Sequence, residues 1–372
     1  TLYLRNGNVI KGSGYSTSRI NQYPTQSGVP LLKVGVGLIN GEEVADYGPV
    51  TNNGYSKFID GLWFATDNVC IESMGDGWII NNCWFNGGGT GIRCRGTDGE
   101  INNCVFEITS ENGIVVGNDN ENGGDNNIVI SNCIFRSPTY GIVVKTITSL
   151  AITGCVFGTI SKNCIAHTEG RARDISISGC IFLSSTANLV SGYSQIYIAN
   201  DQTYAKWNIV GCTFRSSEAE GCAGLKIDGA RFVNITGCSF VKNHYGIYAN
   251  NACINVTGCK FRQSIDYDIY IGDNVGTVVP ACYMVSSCLF DSSHYRGSSE
   301  TNEYFNSCII DNGNAEVHVS DCYSSDARAI FSTANANAII NNCSSEGSHA
   351  AIILNGTKCK CWRCYYCSCN NY

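Results

Sequence analysis

Apolar and polar residues alternate along most of this chain, and the alternation keeps returning in one six-residue form. It reads INNCWF at 80–85, INNCVF at 101–106, ISNCIF at 130–135, ITGCVF at 152–157 and ISGCIF at 177–182. IVGCTF (209–214), ITGCSF (235–240), VTGCKF (256–261) and VSSCLF (285–290) continue it. VSDCYS (319–324), INNCSS (340–345) and CWRCYY (361–366) are weaker copies. A period of two sends successive side chains to opposite faces of a strand. Each copy therefore predicts two short strands, I-x-I and C-x-F. A further apolar segment lies between copies: GIRC (91–94), GIVV (113–116 and 141–144), CIAH (164–167), GLKI (224–227), GIYA (246–249) and DIYI (268–271). It predicts a third strand per repeat, placed ahead of the other two.

The fourth-position cysteines fall at 83, 104, 133, 155, 180, 212, 238, 259, 288, 322, 343 and 364, with gaps of 21 to 34 residues. Self-similarity at this period indicates a stacked repeat array. A floor of 21 with a variable excess fits a fixed coil that carries inserted loops. IDGLWF at 59–64 adds an earlier coil with Leu62 in place of cysteine, which makes thirteen. The residue before the cysteine is usually Asn, Gly or Asp, the types that best tolerate positive φ. That predicts a left-handed bend between the second and third strands. Ser287 and Arg363 depart from the pattern, and the late coils are expected to be less regular. Residues 1–57 lack the full repeat and read as an N-terminal cap with the first irregular coils; 58–372 read as the array.

Three short strands per coil, with bends and no helices, describe an all-β parallel β-helix, a single-stranded solenoid. The pattern resembles the right-handed, pectate-lyase-like β-helix family over about residues 58–366. Rungs spaced by about 4.8 Å make thirteen coils a rod of ~60 Å.

On this reading the repeated cysteines point inward and form a ladder. A disulfide needs Cβ atoms about 3.8 Å apart, closer than the rung spacing, so the cysteines are expected to be reduced and to act as small buried hydrophobes. Folding in a reducing compartment such as a bacterial cytoplasm follows. The tail CKCWRCYYCSC (359–369) has zinc-like spacing. Cys359 and Cys361 fall on the I-x-I register, however, and Cys364 on the ladder, so its ligands would point into the core. Neither a metal nor a cofactor is expected.

Composition narrows the partners. Charged residues are 15% of the chain and the net charge is −7, which disfavours nucleic acid and anionic membranes. No apolar run reaches the length of a membrane span, so no membrane insertion is expected. The chain begins at Thr1 without a signal-peptide pattern, and is expected to be a fragment or processed form of something longer.

Inserted turns locate the candidate site. The turn from first to second strand spans nine residues between Ile92 and Ile101. It grows to sixteen from Ile114 to Ile130, twenty from Leu189 to Ile209, and sixteen from Ile269 to Val285. The turn from third strand to the next first strand expands at 215–224 and 291–306. Both flank the first strand, whose outer face becomes the floor of a groove. Alternation puts Glu72, Arg93, Arg95, Lys145, Lys226, Asp228, Tyr248, Asn250 and Tyr270 on that floor. Tyr248 and Tyr270, on adjacent rungs, are expected to form a sugar-stacking surface. The segment 190–208 supplies one wall, with Tyr193, Tyr197, Tyr204, Trp207 and Asp201; Glu218 and Glu220 stand on the other. Glycoside hydrolysis needs two carboxylates about 5 to 9.5 Å apart, and Asp228 with Glu220, Glu218 or Asp201 is the candidate set. Lys226 and Asn250 join the tyrosines and Trp207 as candidate substrate contacts. The same residues also suit a solvated face with aromatics packing the loops down. Two other groups carry carboxylates: Asp119, Glu121 and Asp125, and Glu169 with Arg171, Arg173 and Asp174. A lyase would use a base such as Arg93, Arg95 or Lys145, with no acidic cluster clearly facing them. There is no Asp-Asp pair and no Gly-His-Gly, and the five histidines have no metal spacing.

Among β-helix proteins, the signal-free chain, irregular coils, reduced cysteines and tyrosine-rich face are similar to bacteriophage tailspikes and related surface-polysaccharide depolymerases. That resemblance implies a homotrimer in the virion tail that binds, and usually cleaves, a bacterial surface polysaccharide, with the head-attachment part ahead of Thr1. No tailspike catalytic motif matches, so no residue is carried over. A non-catalytic receptor-binding adhesin, a secreted polysaccharide lyase and a purely structural rod stay open. Ile310, Phe331 and Ile353 read as an outward apolar stripe on successive rungs, the mark of an interface.

Overall fold

The computed structural model describes residues 2–4, 9–13, 19–21, 30–34, 36–39, 42–45, 57–108, 110–118, 126–136, 138–183, 193–199, 205–216, 220–272, 282–291, 308–311, 316–325, 331–333, 337–345, 352–354, 360–364 and 367–369. They form an all-β, right-handed parallel β-solenoid with three parallel sheets and no helix. The chain divides into two compact units, Thr1–Asn188 and Leu189–Tyr372.

In the first unit, sheet one stacks Leu2–Leu4, Leu32–Val34, Ile71–Ser73, Ile92–Cys94, Asn112–Val116, Tyr140–Val144 and Ile165–His167. Sheets two and three hold the I-x-I and C-x-F strands of the same coils, all paired in parallel. The coil count differs from thirteen. Val9–Lys11 pairs with Lys57–Asp60, and Arg19–Asn21 with Trp63–Ala65, so rungs lacking the cysteine signature precede the Leu62 coil. A hairpin, Val36–Ile39 with Glu42–Ala45, is inserted there. In the second unit, sheet one stacks Ile196–Ala199, Ala223–Asp228, Tyr245–Asn250, Tyr267–Ile271, Ile309–Asp311, Phe331–Thr333, Ile352–Leu354 and Cys367–Cys369.

Every repeated position has a packing reason. The I-x-I residues are buried, as are the ladder phenylalanines. In the first unit Phe64, Phe85, Phe106, Phe135, Phe157 and Phe182 stack ring on ring at 4.6–5.2 Å. In the second, Phe214, Phe240, Phe261 and Phe290 do the same. These rings also explain the glycine of the G-I-x-V motif. A Cβ on Gly113 would lie 2.7 Å from Phe135 Cδ1, and one on Gly246 2.8 Å from Phe261 Cδ1. The ring of each coil takes the space that a side chain would need.

The cysteines do more than fill space. Cys104 Sγ lies 3.3 Å from the Asn102 carbonyl oxygen and 3.7 Å from that of Ile80; Cys133 Sγ repeats this with Ser131 (3.3 Å) and Ile101 (3.7 Å). The thiol thus adds a second, weak donor to corner carbonyls that already accept an amide of the neighbouring coil, as Asn102 O does from Asn82 N–H at 3.1 Å and Ser131 O from Asn103 N–H at 3.0 Å. Nineteen cysteines, those from Cys70 to Cys343 and Cys364, are free thiols. Burial pushes the thiols of Cys70, Cys94 and Cys164 well up, so they stay protonated.

The left-handed bend is present where the sequence puts it, from Asn82 (φ 51°) to Gly258 (φ 62°). Ser287 (φ 53°) and Arg363 (φ 52°) adopt it too. The irregularity expected of their coils is therefore absent at this corner: at Ser287, pairing with the coils on either side holds the bend against residue preference. Cys361 pairs with inward Ile340, while Cys359 lies outside the described residues. No group of three or more His, Cys, Asp or Glu suited to a metal occurs among the described residues.

Candidate functional site on the first sheet

Four adjacent rungs of the second unit build the site. Tyr197, Lys226, Tyr248 and Tyr270 stand in register in one outward column. Ala199, Asp228 and Asn250 form the next column. Tyr245 and Tyr267 form a third, on the other side. In between, Ile198, Ile227, Ala249 and Ile271 point inward and are buried, so the period-two alternation fixes which groups face out.

The outward groups are tied to one another. Lys226 Nζ sits 5.5 Å from the ring centroids of both Tyr197 and Tyr248, a cation between two aromatic faces. It also lies 3.9 Å from Asp228 Oδ2. Asn250 Nδ2 donates to Asp228 Oδ1 at 3.1 Å. Burial and the Asp228 carboxylate, which accepts from the Tyr197 hydroxyl, raise the Tyr197 phenol above its usual range. Asp228 thus has three partners.

The tyrosines also differ from a stacking platform. The rings of Tyr248 and Tyr270 lie 4.7 Å apart and 13° from parallel, and those of Tyr245 and Tyr267 6.2 Å apart at 12°. Residues one rung apart stack along the rung direction, so their faces cover each other. What they offer outward are ring edges and hydroxyls. Tyr245 bridges the columns, edge to face with Tyr248 at 5.4 Å.

Asp266 is a member of the site that the sequence reading missed. It lies 3.6 Å from His244 Nε2, and burial together with its carboxylate raises the Tyr245 phenol well above the usual value. Burial, then Asp266, raises Tyr267 as well. The repeated pairs His244-Tyr245 and Asp266-Tyr267, 22 residues apart, were the available signal. Asp266 cannot pair with Asp228 in acid–base catalysis. It shares register with His244, six positions from Asn250 along the strand, or about 20 Å, against the 5 to 9.5 Å that the reaction needs.

Other predicted residues fall elsewhere. Trp207 is fully buried on the strand Lys206–Val210, pointing into the core like Ile209; it is not a wall aromatic. Tyr197 belongs to the floor, because the first strand of its coil is Ile196–Ala199 and does not begin at Leu189. The insertion in that coil therefore precedes its first strand. Tyr193 is half-buried just ahead of it, and Glu220 is exposed in the turn before Ala223. Asp201, Tyr204 and Glu218 lie outside the described residues, as do Asp119, Glu121 and Asp125. Phe331 is buried and pairs with inward Ile309; Ile310 pairs with Ser332. Phe331 therefore does not belong to the expected outward stripe.

On the same sheet of the first unit, Glu72 is 5% exposed beneath Lys33 (3.8 Å), Arg93 (3.9 Å) and Arg95 (3.5 Å). The two arginines do face a carboxylate, but a single one. Lys145 pairs with the exposed Glu169 at 3.1 Å. Neither group forms the cation-binding cluster of a lyase.

No known family's sequence profile matches the chain, and no curated protein matches it. Several solved structures are similar to the chain, and two of them are enzymes. The catalytic unit of a thermostable GH87 alpha-1,3-glucanase from Streptomyces thermodiastaticus strain HF3-3 aligns with 100% of this chain, at 11% identity and a TM-score of 0.45. The A-module of a mannuronan C-5 epimerase from Azotobacter vinelandii aligns with 98%, at 10% identity and a TM-score of 0.28, covering 84% of that module. This chain spans 65% of the glucanase chain. Likeness at this level carries neither an activity nor a residue assignment.

Proposed function

We propose that the first-sheet face between Tyr197 and Tyr270 binds a polysaccharide, and that the protein is a phage tailspike-like recognition element for a bacterial surface glycan. The observation that carries the reading is the rigid fringe of hydroxyls on Tyr245, Tyr248, Tyr267 and Tyr270 beside the Lys226–Asp228–Asn250 cluster. Polyhydroxylated ligands are held by such arrays of fixed donors and acceptors. Sheet pairing has already immobilised their backbone, so little further ordering is required on binding. Contacts run through phenol edges and hydroxyls rather than ring faces.

Depolymerisation by hydrolysis is the catalytic form of this reading. Asp228 is its reactive carboxylate, with Glu220 in the preceding turn as partner. Lys226, Asn250 and the Tyr197 hydroxyl hold its two oxygens in place. The test is incubation of the protein with a panel of bacterial capsules and O-antigens, followed by binding measurement and product sizing. Tyr248→Ala with Tyr270→Ala should reduce binding at least tenfold while the melting temperature stays within a few degrees. Asp228→Asn should abolish chain shortening if hydrolysis occurs. Binding without shortening leaves recognition as the function. Binding and shortening that both survive these variants reject the site.

A further inference from the structure

Most cysteines of this chain point inward, but two on the second sheet do not. Cys253 and Cys282 open the strands Cys253–Thr257 and Cys282–Ser286 and are direct register partners on adjacent rungs. Ile254 and Val256 of the first strand and Tyr283 and Val285 of the second are buried. Alternation therefore turns both thiols outward, where they are half exposed. The column continues to Glu316 on the following rung, whose Oε1 lies 2.7 Å from Nε2 of His318.

The rung spacing decides what two such thiols can do. In-register parallel neighbours stand about 4.8 Å apart. A disulfide would have to draw the Cβ atoms to about 3.8 Å and hold a restricted dihedral, against hydrogen bonds on both sides of each strand. A two-coordinate metal ion imposes no such contraction. With metal–sulfur bonds on the order of 2.3 Å, as for thiolate–zinc, two sulfurs on opposite sides of one ion stand ~4.6 Å apart, which is the spacing the sheet already supplies. Thiolates select soft cations. With the Glu316 carboxylate engaged by His318, the thiols are the ligands at hand, which favours an ion content with two.

We propose that Cys253 and Cys282 form a surface site for a soft monovalent cation of the Cu(I) type, bridging adjacent rungs. Each thiol releases its proton to water as its sulfur bonds the metal; no electron is transferred and no co-reactant is required.

The experiment titrates the folded full chain with Cu(I), supplied anaerobically as its complex with a coloured chelator, and reads the chelator's absorbance. One equivalent per chain should transfer. Cys253→Ser and Cys282→Ser should each lower the affinity at least a hundredfold, while Cys364→Ser, at the third half-exposed thiol, should change nothing. Circular dichroism of the variants guards against loss of fold, and X-ray absorption of the loaded protein should show two sulfur neighbours. No uptake by the wild type overturns the proposal, as does uptake unchanged in both serine variants. Ready formation of a Cys253–Cys282 disulfide with oxidised glutathione would overturn it too, since it would show that the rung spacing yields.

Discussion

Replacing Gly113 by alanine should test the packing logic of the solenoid directly. A methyl group there would lie 2.6 Å from the Gly141 carbonyl oxygen and 2.7 Å from Phe135 Cδ1. Neither neighbour can retreat. Gly141 is in the next strand of the sheet, and Phe135 is held between Phe106 and Phe157 at 4.8 and 4.6 Å. Overpacking of this kind costs about 1–3 kcal/mol, and with backbone among the obstructions the cost should fall near 3. Gly179 provides the contrast. Its Cβ would meet nothing within 4 Å, but φ is +59°. Alanine there should cost about 1–2 kcal/mol through the left-handed backbone alone. Asparagine should cost less, as Asn82, Asn103 and Asn132 occupy the same bend. Urea unfolding followed by the fluorescence of buried Trp78, in the same unit, gives the free energies. Phe135→Leu combined with Gly113→Ala should show coupling of at least 0.5 kcal/mol, because the two changes share one contact. The reasoning fails if Gly113→Ala is milder than Gly179→Ala, or if the double variant is simply additive.

Three further outcomes are expected. Alkylation under denaturing, non-reducing conditions followed by mass spectrometry should find the ladder cysteines as free thiols; a set of inter-rung disulfides would contradict their geometry. Trp207→Ala should destabilise the protein by about 3–5 kcal/mol as a core truncation, and an unchanged unfolding midpoint would return Trp207 to the surface. Tyr197, Tyr245 and Tyr267 have phenols raised by burial and by neighbouring carboxylates. A phenol raised in the folded state contributes stability that is full below its unfolded value of about 10 and lost as pH climbs toward the folded value. Tyrosinate absorbance should therefore show a late-titrating class, and Tyr245→Phe should lessen the alkaline loss of stability; a single titration step near pH 10 would refute this.

The fold was legible because its signal is written many times. Ile101, Cys104 and Phe106 occupy positions whose inward direction follows from alternation, and the bend before each cysteine follows from the residue type. The errors arose where alternation is locally ambiguous. Ile330 and Phe331 are adjacent apolar residues, and only pairing with Ile309 settles that Phe331 is the inward one. In the segment before Ile209, closely spaced aromatics overlie the alternation of Trp207 with Ile209 and of Ile196 with Ile198. The outward residues of the site were readable one at a time. Their mutual arrangement was not: stacking of Tyr248 on Tyr270 and the grip of Asn250 and Tyr197 on Asp228 come from partners 22 to 31 residues away, brought together by rung stacking.

The 21-residue interval between Leu62, Cys83 and Cys104 makes this part of the molecule a ruler with a defined graduation. Trp78–Asn81 pairs in identical register with the strands on either side, as do Trp84 and Phe85. Excising one whole graduation, for instance 84–104, joins Cys83 to Val105 and leaves each remaining ladder continuous, whereas a different length would have to be absorbed in a turn, as the longer coils absorb theirs. Length in such a protein can change by whole coils through duplication or deletion, without any new packing problem to solve. A surface that must reach a given distance from its anchor can in this way be lengthened or shortened in steps of about 5 Å, while the face that meets its ligand is left as it was.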